Sequence, residues 1–361
     1  MKLILLMPFL CLACIAGPIY TLADLGTLGG PMAMATGLND HGQAVGTMFD
    51  PAGYMHAFSS SSSLSSAANE AEAAGINKEG QVAGTQFFNQ VAYATVWNNG
   101  VPTTLAGAGS FALAINSSGD VAGMLVNNGQ GNAFVTQNGT VIDLGSFDGG
   151  SWLSAYALND QGQAAGYGMI SNGVFRGFIW TPGQGYSALG TLGGFSSYAM
   201  AINNSGQIAG SAQISSGYSH AFLSSGPTMT DLGTLGGAAS YAYGINNSGN
   251  VVGYSWTAGN ATTDGFIDEG GVMLDINSLL IDAPGWQITA LYGINNSNQV
   301  VGVGVLDGVE HAVLLTDPPA ASSVESVATP EPSAWICTLS GLAILLIIRR
   351  SLPAVAAQQN R

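Results

Sequence analysis

The stretch that decides the fold is GINNSGNVVG at residues 244–253, because close copies of it occur seven times along the chain. The other copies are GLNDHGQAVG at 37–46, GINKEGQVAG at 75–84, AINSSGDVAG at 114–123, ALNDQGQAAG at 157–166, AINNSGQIAG at 201–210 and GINNSNQVVG at 293–302. Their leading asparagines are Asn39, Asn77, Asn116, Asn159, Asn203, Asn246 and Asn295, spaced 38 to 49 residues apart. A recurring period of this length is typical of repeat architectures such as propellers.

Each copy has the internal order of a small antiparallel sheet. An alternating stretch such as 241–245 predicts a first strand. The N-x-x-G turn that follows supplies an asparagine side chain for hydrogen bonding and a glycine that accepts a positive φ. A second strand, such as 251–254, leads through a variable loop to a third, such as HAFL at 220–223. The fourth ends in Asp-Leu-Gly and the corner TLGG, as at 231–237.

The order of the strands at the two ends predicts closure. The fourth-strand motif first occurs at 23–26, before the first complete repeat, and it is missing after the third strand at 311–314. The sequence therefore predicts an all-β fold, a seven-bladed β-propeller over residues 21–316. Its four-stranded antiparallel blades would be closed into a ring by the N-terminal strand. An open repeat array is the alternative.

The amino-acid composition, above all the low content of charged residues, limits the kinds of molecule that the protein can bind. Charged residues are 7% of the 361 residues, against about 25% in ordinary soluble proteins, and 52 residues are glycine. Both fit sheets that pack on two faces. Between residues 17 and 330, only Lys78 and Arg176 stand against 20 acids, a formal charge of −18. Two cations cannot follow a phosphate backbone, so nucleic-acid binding is excluded.

The N-terminus is typical of an exported protein. Lys2 precedes an apolar stretch, and 14–16 offers the small residues that a signal peptidase recognises, so residues 1–16 are expected to be a signal peptide. Lipidation of Cys14 is an alternative. Cys11, Cys14 and Cys337 all lie in the apolar end segments, which leaves no disulfide framework in the repeats.

The C-terminus resembles the PEP-CTERM sorting signal. Pro330, Glu331 and Pro332 precede an apolar run at 334–348 and the pair Arg349 and Arg350. The resemblance implies a hydrophobic helix at 330–350, transient membrane association through it, and processing by an exosortase-type protease. The tail at 351–361 is longer than is usual for such signals, and a plain membrane anchor is the alternative. Residues 317–329, rich in Pro, Ala and Ser, are expected to be a linker.

The repeats resemble the HAF-repeat family of extracellular bacterial proteins. His56 and His220 begin the naming triplet, His311 begins the variant HAV, and GTLGG occurs at 26–30, 190–194 and 233–237. The resemblance covers about residues 21–316. It implies a repeated architecture at the cell surface or in the extracellular matrix and implies no reaction.

Candidate chemistry is sparse. His56, His220 and His311 occupy one position at the start of the third strand, where the other copies carry Tyr93, Asn132, Arg176 and Asp264. This variety predicts a strand-end position that forms local hydrogen bonds; a metal site formed by converging histidines is the alternative. The repeated Asp-Leu-Gly aspartate is interpreted in the same way. No cofactor is expected, although weak Ca²⁺ binding to the acidic surface remains open. Arg176 is the only arginine of the repeats, and a surface ion pair or an anionic ligand would each account for it.

We therefore expect a non-catalytic binding or structural propeller associated with exopolysaccharide or surface proteins. Trp97, Trp180 and Trp256 are interpreted as surface aromatics, with the third-strand core as the alternative for Trp97 and Trp180. The competing hypotheses are an exported propeller enzyme acting on polysaccharide, a lyase or a hydrolase, and a purely structural role in the envelope. No P-loop, nucleophile elbow or HExxH motif occurs.

Overall fold

A computed structural model describes residues 19–317 except 63, 65–69, 128 and 227. The expected signal peptide at 1–16, the hydrophobic helix at 330–350 with its sorting motif, and the tail lie outside these residues. So does the expected linker apart from its first residue. Within the described part of the chain, no helix has the length and apolar character needed to cross a membrane.

The described chain is all-β, as the repeat predicts, and its strands follow the repeats. The first three repeats contain β2 (Ala33–Leu38), β3 (Ala44–Phe49) and β4 (Met55–Ser59); β5 (Glu70–Ile76), β6 (Val82–Phe88), β7 (Val91–Asn98) and β8 (Val101–Thr104); and β9 (Ser110–Ile115), β10 (Val121–Asn127), β11 (Gln130–Gln137) and β12 (Thr140–Asp143). The fourth and fifth contain β13 (Trp152–Leu158), β14 (Ala164–Met169), β15 (Phe175–Thr181) and β16 (Gly185–Ala188); and β17 (Gly193–Ile202), β18 (Ile208–Ile214), β19 (Ser219–Ser225) and β20 (Thr228–Asp231). The last two contain β21 (Gly236–Ile245), β22 (Val251–Thr257), β23 (Thr263–Glu269) and β24 (Val272–Asp275); and β25 (Gln287–Ile294), β26 (Val300–Leu306) and β27 (Val309–Thr316). Two short 3₁₀ helices occur at Ala258–Asn260 and Ile276–Leu279.

Each repeat pairs its own strands antiparallel and in sequence order. The second, fifth and sixth repeats form separate four-stranded sheets, and the first forms a three-stranded one. The third and fourth repeats belong to one eight-stranded sheet, because Gly131 of β11 forms a parallel bridge with Trp152 of β13. The four-stranded pattern therefore holds for most repeats; in the first, the described residues form β2–β4, and residues 63 and 65–69 that follow lie outside the described part of the chain.

The first strand of the chain completes the sheet of the last repeat. β1 (Thr21–Gly26) pairs antiparallel with β27, with Ala23 opposite Leu314, and the sheet order is β1-β27-β26-β25. The strand displaced to the N-terminus thus occupies the fourth-strand position of the seventh repeat, as its Asp-Leu-Gly motif predicts.

A β-bulge interrupts the first strand of every repeat three residues before its asparagine. In the sixth repeat Ala242 pairs with Gly253 and Gly244 with Val252, so Tyr243 has no partner across the ladder. The residues skipped in this way are Thr36, Ala74, Leu113, Tyr156, Met200, Tyr243 and Tyr292. Bulges bend a strand and redirect one side chain.

The bulge also explains the final glycine of the repeat motif. A Cβ on Gly253 would lie 1.9 Å from the carbonyl oxygen of Tyr241 on the neighbouring strand. The same approach, 1.9–2.1 Å from the carbonyl of the residue five before the asparagine, occurs at Gly46, Gly84, Gly123, Gly166, Gly210 and Gly302. No side chain fits there, because the bulged first strand occupies its space.

The core consists of small side chains between a few large ones. Phe134, Phe178, Phe222 and Phe266 stand at one position of the third strand and are fully buried, surrounded by alanines that are equally buried. Trp97 is also fully buried, so its interpretation as a surface aromatic is wrong and the core alternative holds. Sheets that approach through alanine leave little room for charged side chains, which accounts for the low charged content.

Candidate functional site

The seven turns, six of them N-x-x-G and the seventh N-x-x-N, share a backbone geometry that Asn203 illustrates. Its Oδ1 accepts hydrogen bonds from the backbone N–H groups of Ser205 and Gln207, both at 3.0 Å. Its Nδ2 donates to Gln207 Oε1 at 2.8 Å. The glycine of the turn, Gly206, has a φ of 74°, as the sequence predicts. Asn203 therefore forms three hydrogen bonds within its own repeat.

Each turn asparagine also bonds to the next repeat. Asn203 Nδ2 donates to the backbone carbonyl of Asn246 at 3.0 Å, and Asn295 Nδ2 donates to that of Asn39 at 3.0 Å. All seven asparagines donate in this way, at 2.9–3.2 Å. All seven are also at most 5% exposed. We call this cycle, in which the seventh asparagine donates to the first, the asparagine ring.

A cavity of about 210 Å³ lies on the asparagine ring, lined by residues of all seven turns. The residues that follow the asparagines form its rim. There Asp160 Oδ1 accepts a hydrogen bond from Ser117 N at 2.9 Å, and Asp160 N donates to Asn204 Oδ1 at 3.0 Å. Burial acts to raise the pKa of Asp160, but hydrogen bonds from Ser117 and Asn204 outweigh it and lower the pKa. These polar groups are hydrogen-bonded to one another across neighbouring turns. The rim of the cavity on the asparagine ring is therefore part of the scaffold.

The third-strand histidines pair with aspartates. His220 Nδ1 lies 2.9 Å from Asp231 Oδ2, and His311 Nδ1 lies 3.1 Å from Asp24 Oδ1. The second pair joins the last strand of the chain to the first. His56 instead lies 3.1 Å from Asp50 in the preceding loop. The hydrogen bond from His56 is the main cause that lowers the pKa of Asp50.

The aspartate of Asp-Leu-Gly also accepts a hydrogen bond from the backbone of the turn that follows it. Asp231 Oδ1 accepts a hydrogen bond from Gly233 N at 2.8 Å, and Asp24 and Asp143 make the equivalent bond. In the third repeat, Asn132 replaces histidine and donates to Asp143 at 2.9 Å. Both positions are thus occupied by bonds within one sheet. Within the described chain no group of three or more His, Cys, Asp or Glu side chains is arranged to hold a metal ion.

The fourth repeat has lost this pair. Arg176 stands where His220 stands in the fifth repeat, and Ala188 takes the place of Asp231. Arg176 lines a cavity of about 640 Å³ together with Phe147 and Tyr186. Its guanidinium forms no hydrogen bond or ion pair with any residue that the structure describes. A surface ion pair therefore does not account for Arg176.

A cluster of tyrosines breaks the sevenfold regularity. Seven of the 12 tyrosines of the chain lie on the first two strands of the last four repeats: Tyr156, Tyr167, Tyr198, Tyr241, Tyr243, Tyr254 and Tyr292. Their rings contact one another; Tyr156 stacks on Tyr167 with centroids 4.9 Å apart, and Tyr243 meets Tyr292 at 5.3 Å. All seven are half-buried.

Four of these tyrosines line a cavity of about 300 Å³, here called the tyrosine cavity. It is lined by Tyr167, Tyr198, Met200, Ser211, Ser219, Tyr241, Ala242 and Tyr243. Met200 and Tyr243 are bulge residues, and both also line a neighbouring cavity of about 190 Å³ to which all seven first strands contribute. Burial raises the pKa of Tyr167 and Tyr243, so these hydroxyls stay protonated and can donate hydrogen bonds.

The sequence predictions did not single out these tyrosines. The alternation at 241–245 was interpreted as a strand signal alone, although a signal for a site was present in the alignment of the repeats. The position three before the asparagine carries Tyr156, Tyr243 and Tyr292 in three late repeats, whereas the first three repeats carry Thr36, Ala74 and Leu113.

Comparison with known proteins finds solved structures with a similar fold but does not identify a family. No family model and no curated protein matches the chain. A puromycin-hydrolysing peptidase of Mycobacterium tuberculosis matches 84% of this chain and 55% of its own, at 10% identity and a TM-score of 0.50. TolB from Acinetobacter baumannii matches 76% of this chain and 64% of its own, at 12% identity and a TM-score of 0.45. The β-propeller domain of the Trilobed protease from Pyrococcus furiosus matches 69% of this chain and 96% of its own, at 11% identity and a TM-score of 0.41. The chain thus spans less than two thirds of the first two proteins, and its similarity to solved structures concerns the all-β fold alone.

Proposed function

We propose that this chain is an exported, non-catalytic protein of the cell surface or extracellular matrix that binds exopolysaccharide through one closed seven-bladed propeller. The observation that carries the proposal is that the repeated polar residues have hydrogen-bond partners within the fold. The turn asparagines bond to one another, and the strand-end histidines bond to aspartates. Among the described residues these repeated asparagines, histidines and aspartates are thus engaged in bonds within the fold, which favours binding over catalysis.

Two contacts support closure of the ring. Asn295 donates to the carbonyl of Asn39, so the cycle of seven hydrogen bonds has no open end. β1 pairs with β27, which places residues from the two ends of the repeat region in one sheet. A closed ring of blades leaves only short, protected sheet edges, and this suits a protein that works outside the cell.

Export rests on the sequence alone. The signal peptide at 1–16, the HAF-type repeats and the motif Pro330-Glu331-Pro332 with Arg349-Arg350 all favour a secreted protein. We propose signal peptidase and an exosortase-type protease as processing partners. The hydrophobic helix at 330–350 would hold the chain in the membrane until cleavage.

Two measurements test the proposal. The intact mass of the protein isolated from its native host should lack residues 1–16 and everything after about residue 332; a retained C-terminus would overturn sorting. The purified chain should co-sediment with exopolysaccharide from the same host and leave its chain length unchanged. New reducing or unsaturated ends would instead favour the hydrolase or lyase alternative, and absence of co-sedimentation would overturn polysaccharide binding.

A further inference from the structure

We infer that the tyrosine cavity is the ligand site of this protein and that it takes a short segment of a neutral polysaccharide. The inference rests on the proposed polysaccharide binding and adds a location and a charge class to it. The tyrosine cavity lies where the fifth and sixth repeats differ from the first three at the position five before the asparagine.

The tyrosines that line the cavity are present in only some of the repeats, which indicates that they are not part of the common scaffold. The position five before the asparagine carries Tyr198 and Tyr241 in the fifth and sixth repeats, but Met34, Glu72 and Phe111 in the first three. The fold requires no tyrosine there, because repeats without one form the same strands and the same bulge. The aromatic residues are therefore additional to what the architecture needs.

The lining has the chemistry that sugars use. A pyranose ring presents an apolar C–H face, which stacks on an aromatic ring, and a rim of hydroxyls, which pair with phenolic and seryl hydroxyls. The cavity supplies both, through its tyrosines and through Ser211 and Ser219. The hydroxyls of Tyr198 and Tyr241 form no hydrogen bond with any residue that the structure describes, so both are available to a ligand.

The charge of the protein and of the cavity lining favours a neutral polysaccharide over an acidic one. No residue lining the cavity is charged. The protein carries a formal net charge of −15, which repels uronate or sulfated polymers at low salt. The volume of about 300 Å³ is at the lower end of the range for ligand pockets, which suits a short segment of a longer chain.

The bulges hold the site in place. Met200 and Tyr243 are the unpaired residues of their strands, and their side chains reach the cavity because the ladder skips them. A side chain placed by the backbone in this way needs less ordering on binding, and such pre-organisation reduces the entropy lost.

The test uses the full chain with dextran, laminarin and cellohexaose as neutral probes and alginate as an acidic one, followed by calorimetry. We expect at least one neutral probe to bind, and Tyr198→Ala and Tyr241→Ala each to weaken its affinity by at least about tenfold. Tyr198→Phe and Tyr241→Phe keep the ring and should weaken it by about threefold to tenfold through loss of a hydrogen bond. Tyr54→Ala is the matched control, because Tyr54 is 52% exposed on a loop of the first repeat, outside the cluster.

The outcomes separate the two proposals. Neutral binding that survives all four tyrosine variants, with unchanged melting temperatures, would overturn the tyrosine cavity and leave polysaccharide binding intact. Binding of alginate alone would overturn the neutral class. Absence of binding to every probe and to host exopolysaccharide, including a result in which only a surface protein binds, would overturn both. If an alanine variant fails to fold, the phenylalanine variants decide.

Discussion

Asn298 Oδ1 lies 3.0 Å from Nδ2 of Asn250 in the preceding repeat and 2.8 Å from Nδ2 of Asn246. In most other repeats a glutamine four residues after the turn asparagine provides this acceptor, as Gln207 does for Asn203. The long glutamine also reaches the glycine of the next turn; Gln81 Oε1 lies 2.9 Å from where a Cβ on Gly119 would be. In the sixth repeat Asn250 stands in place of the glutamine and is too short to fill the space beside the next turn. Asn298, which stands at the glycine position of that next turn with a φ of 57°, fills the space with its side chain. Two substitutions in neighbouring repeats thus compensate each other.

This relationship predicts strong coupling. Asn298→Gly removes the acceptor of Asn246, and Asn250→Gln alone meets the side chain of Asn298, so each single variant should lose about 1–2 kcal/mol of unfolding free energy. The double variant restores the arrangement of the other repeats and should recover most of the loss. Urea unfolding measures the cycle, with an expected coupling of about 1–3 kcal/mol. Additive losses would show that the two positions are independent.

The asparagine ring predicts a stability cost for any of its members. Asn203→Ala leaves the carbonyl of Asn246 and two backbone N–H groups without the partner they have now, in a buried turn. We expect a loss of at least about 2 kcal/mol in urea unfolding. Ser205→Ala in the same turn is the control and should change stability by less than about 0.5 kcal/mol, because Ser205 is exposed. Equal effects of the two changes would contradict the structural role of the ring.

The pairing of β1 with β27 predicts an intramolecular disulfide. Ala23 and Leu314 are Cα partners, so cysteines at both positions are within bonding distance once Cys11, Cys14 and Cys337 are serine. Oxidation should give a monomeric crosslink and add about 2–5 kcal/mol to the unfolding free energy. Non-reducing electrophoresis distinguishes this from crosslinked dimers, which would mean that β1 completes another copy. Cysteines at Ala23 and Val252 are the unpaired control.

Glu72 predicts a pH effect with a definite sign. Burial raises the pKa of Glu72 above its ordinary value of 4.5. The folded state therefore retains a proton that the unfolded state has lost, and stability falls as pH rises from 4.5 to the raised pKa. Glu72→Gln should melt at a higher temperature than the wild type at pH 7 and at the same temperature below pH 4. Glu79→Gln, at an exposed turn residue, should not show this difference. An equal shift at both pH values would contradict the assignment.

Arg176 predicts a gain from one substitution. Ala188 stands opposite Phe178 as Asp231 stands opposite Phe222, so Ala188→Asp should place a carboxylate beside Arg176. The expected gain is up to about 1 kcal/mol, and added salt should diminish it. Ala188→Asn is the neutral control. A salt-independent change would show that no ion pair forms.

The repeat pattern predicts this fold well because its signals are local. The N-x-x-G turn sets its own geometry, and the displaced Asp-Leu-Gly motif predicts the pairing of β1 with β27. The bulge is less visible, because it depends on contacts between strands; only the glycine at the end of each copy, such as Gly253, indicates it. After β4 the sequence is a stretch of serines that carries no strand pattern, so it does not predict a fourth strand for the first repeat.

The candidate site was harder to predict because it depends on differences between copies. His220 and Asp231 recur, and recurrence indicates scaffold. Tyrosine at their position recurs in only part of the chain, and the sequence does not show that Tyr198 contacts Tyr167 of the preceding repeat or that both line one cavity with Tyr241. The burial of Trp97 likewise depends on packing between sheets.

The bulge at the start of each repeat has an evolutionary consequence. Thr36, Leu113, Tyr156 and their counterparts have no cross-strand partner to match, so a mutation there leaves the pairing of the ladder unchanged. Seven such positions can drift separately while selection preserves the frame. Descendants of this gene could therefore acquire new binding preferences by point mutation at a few codons, without losing the ability to fold.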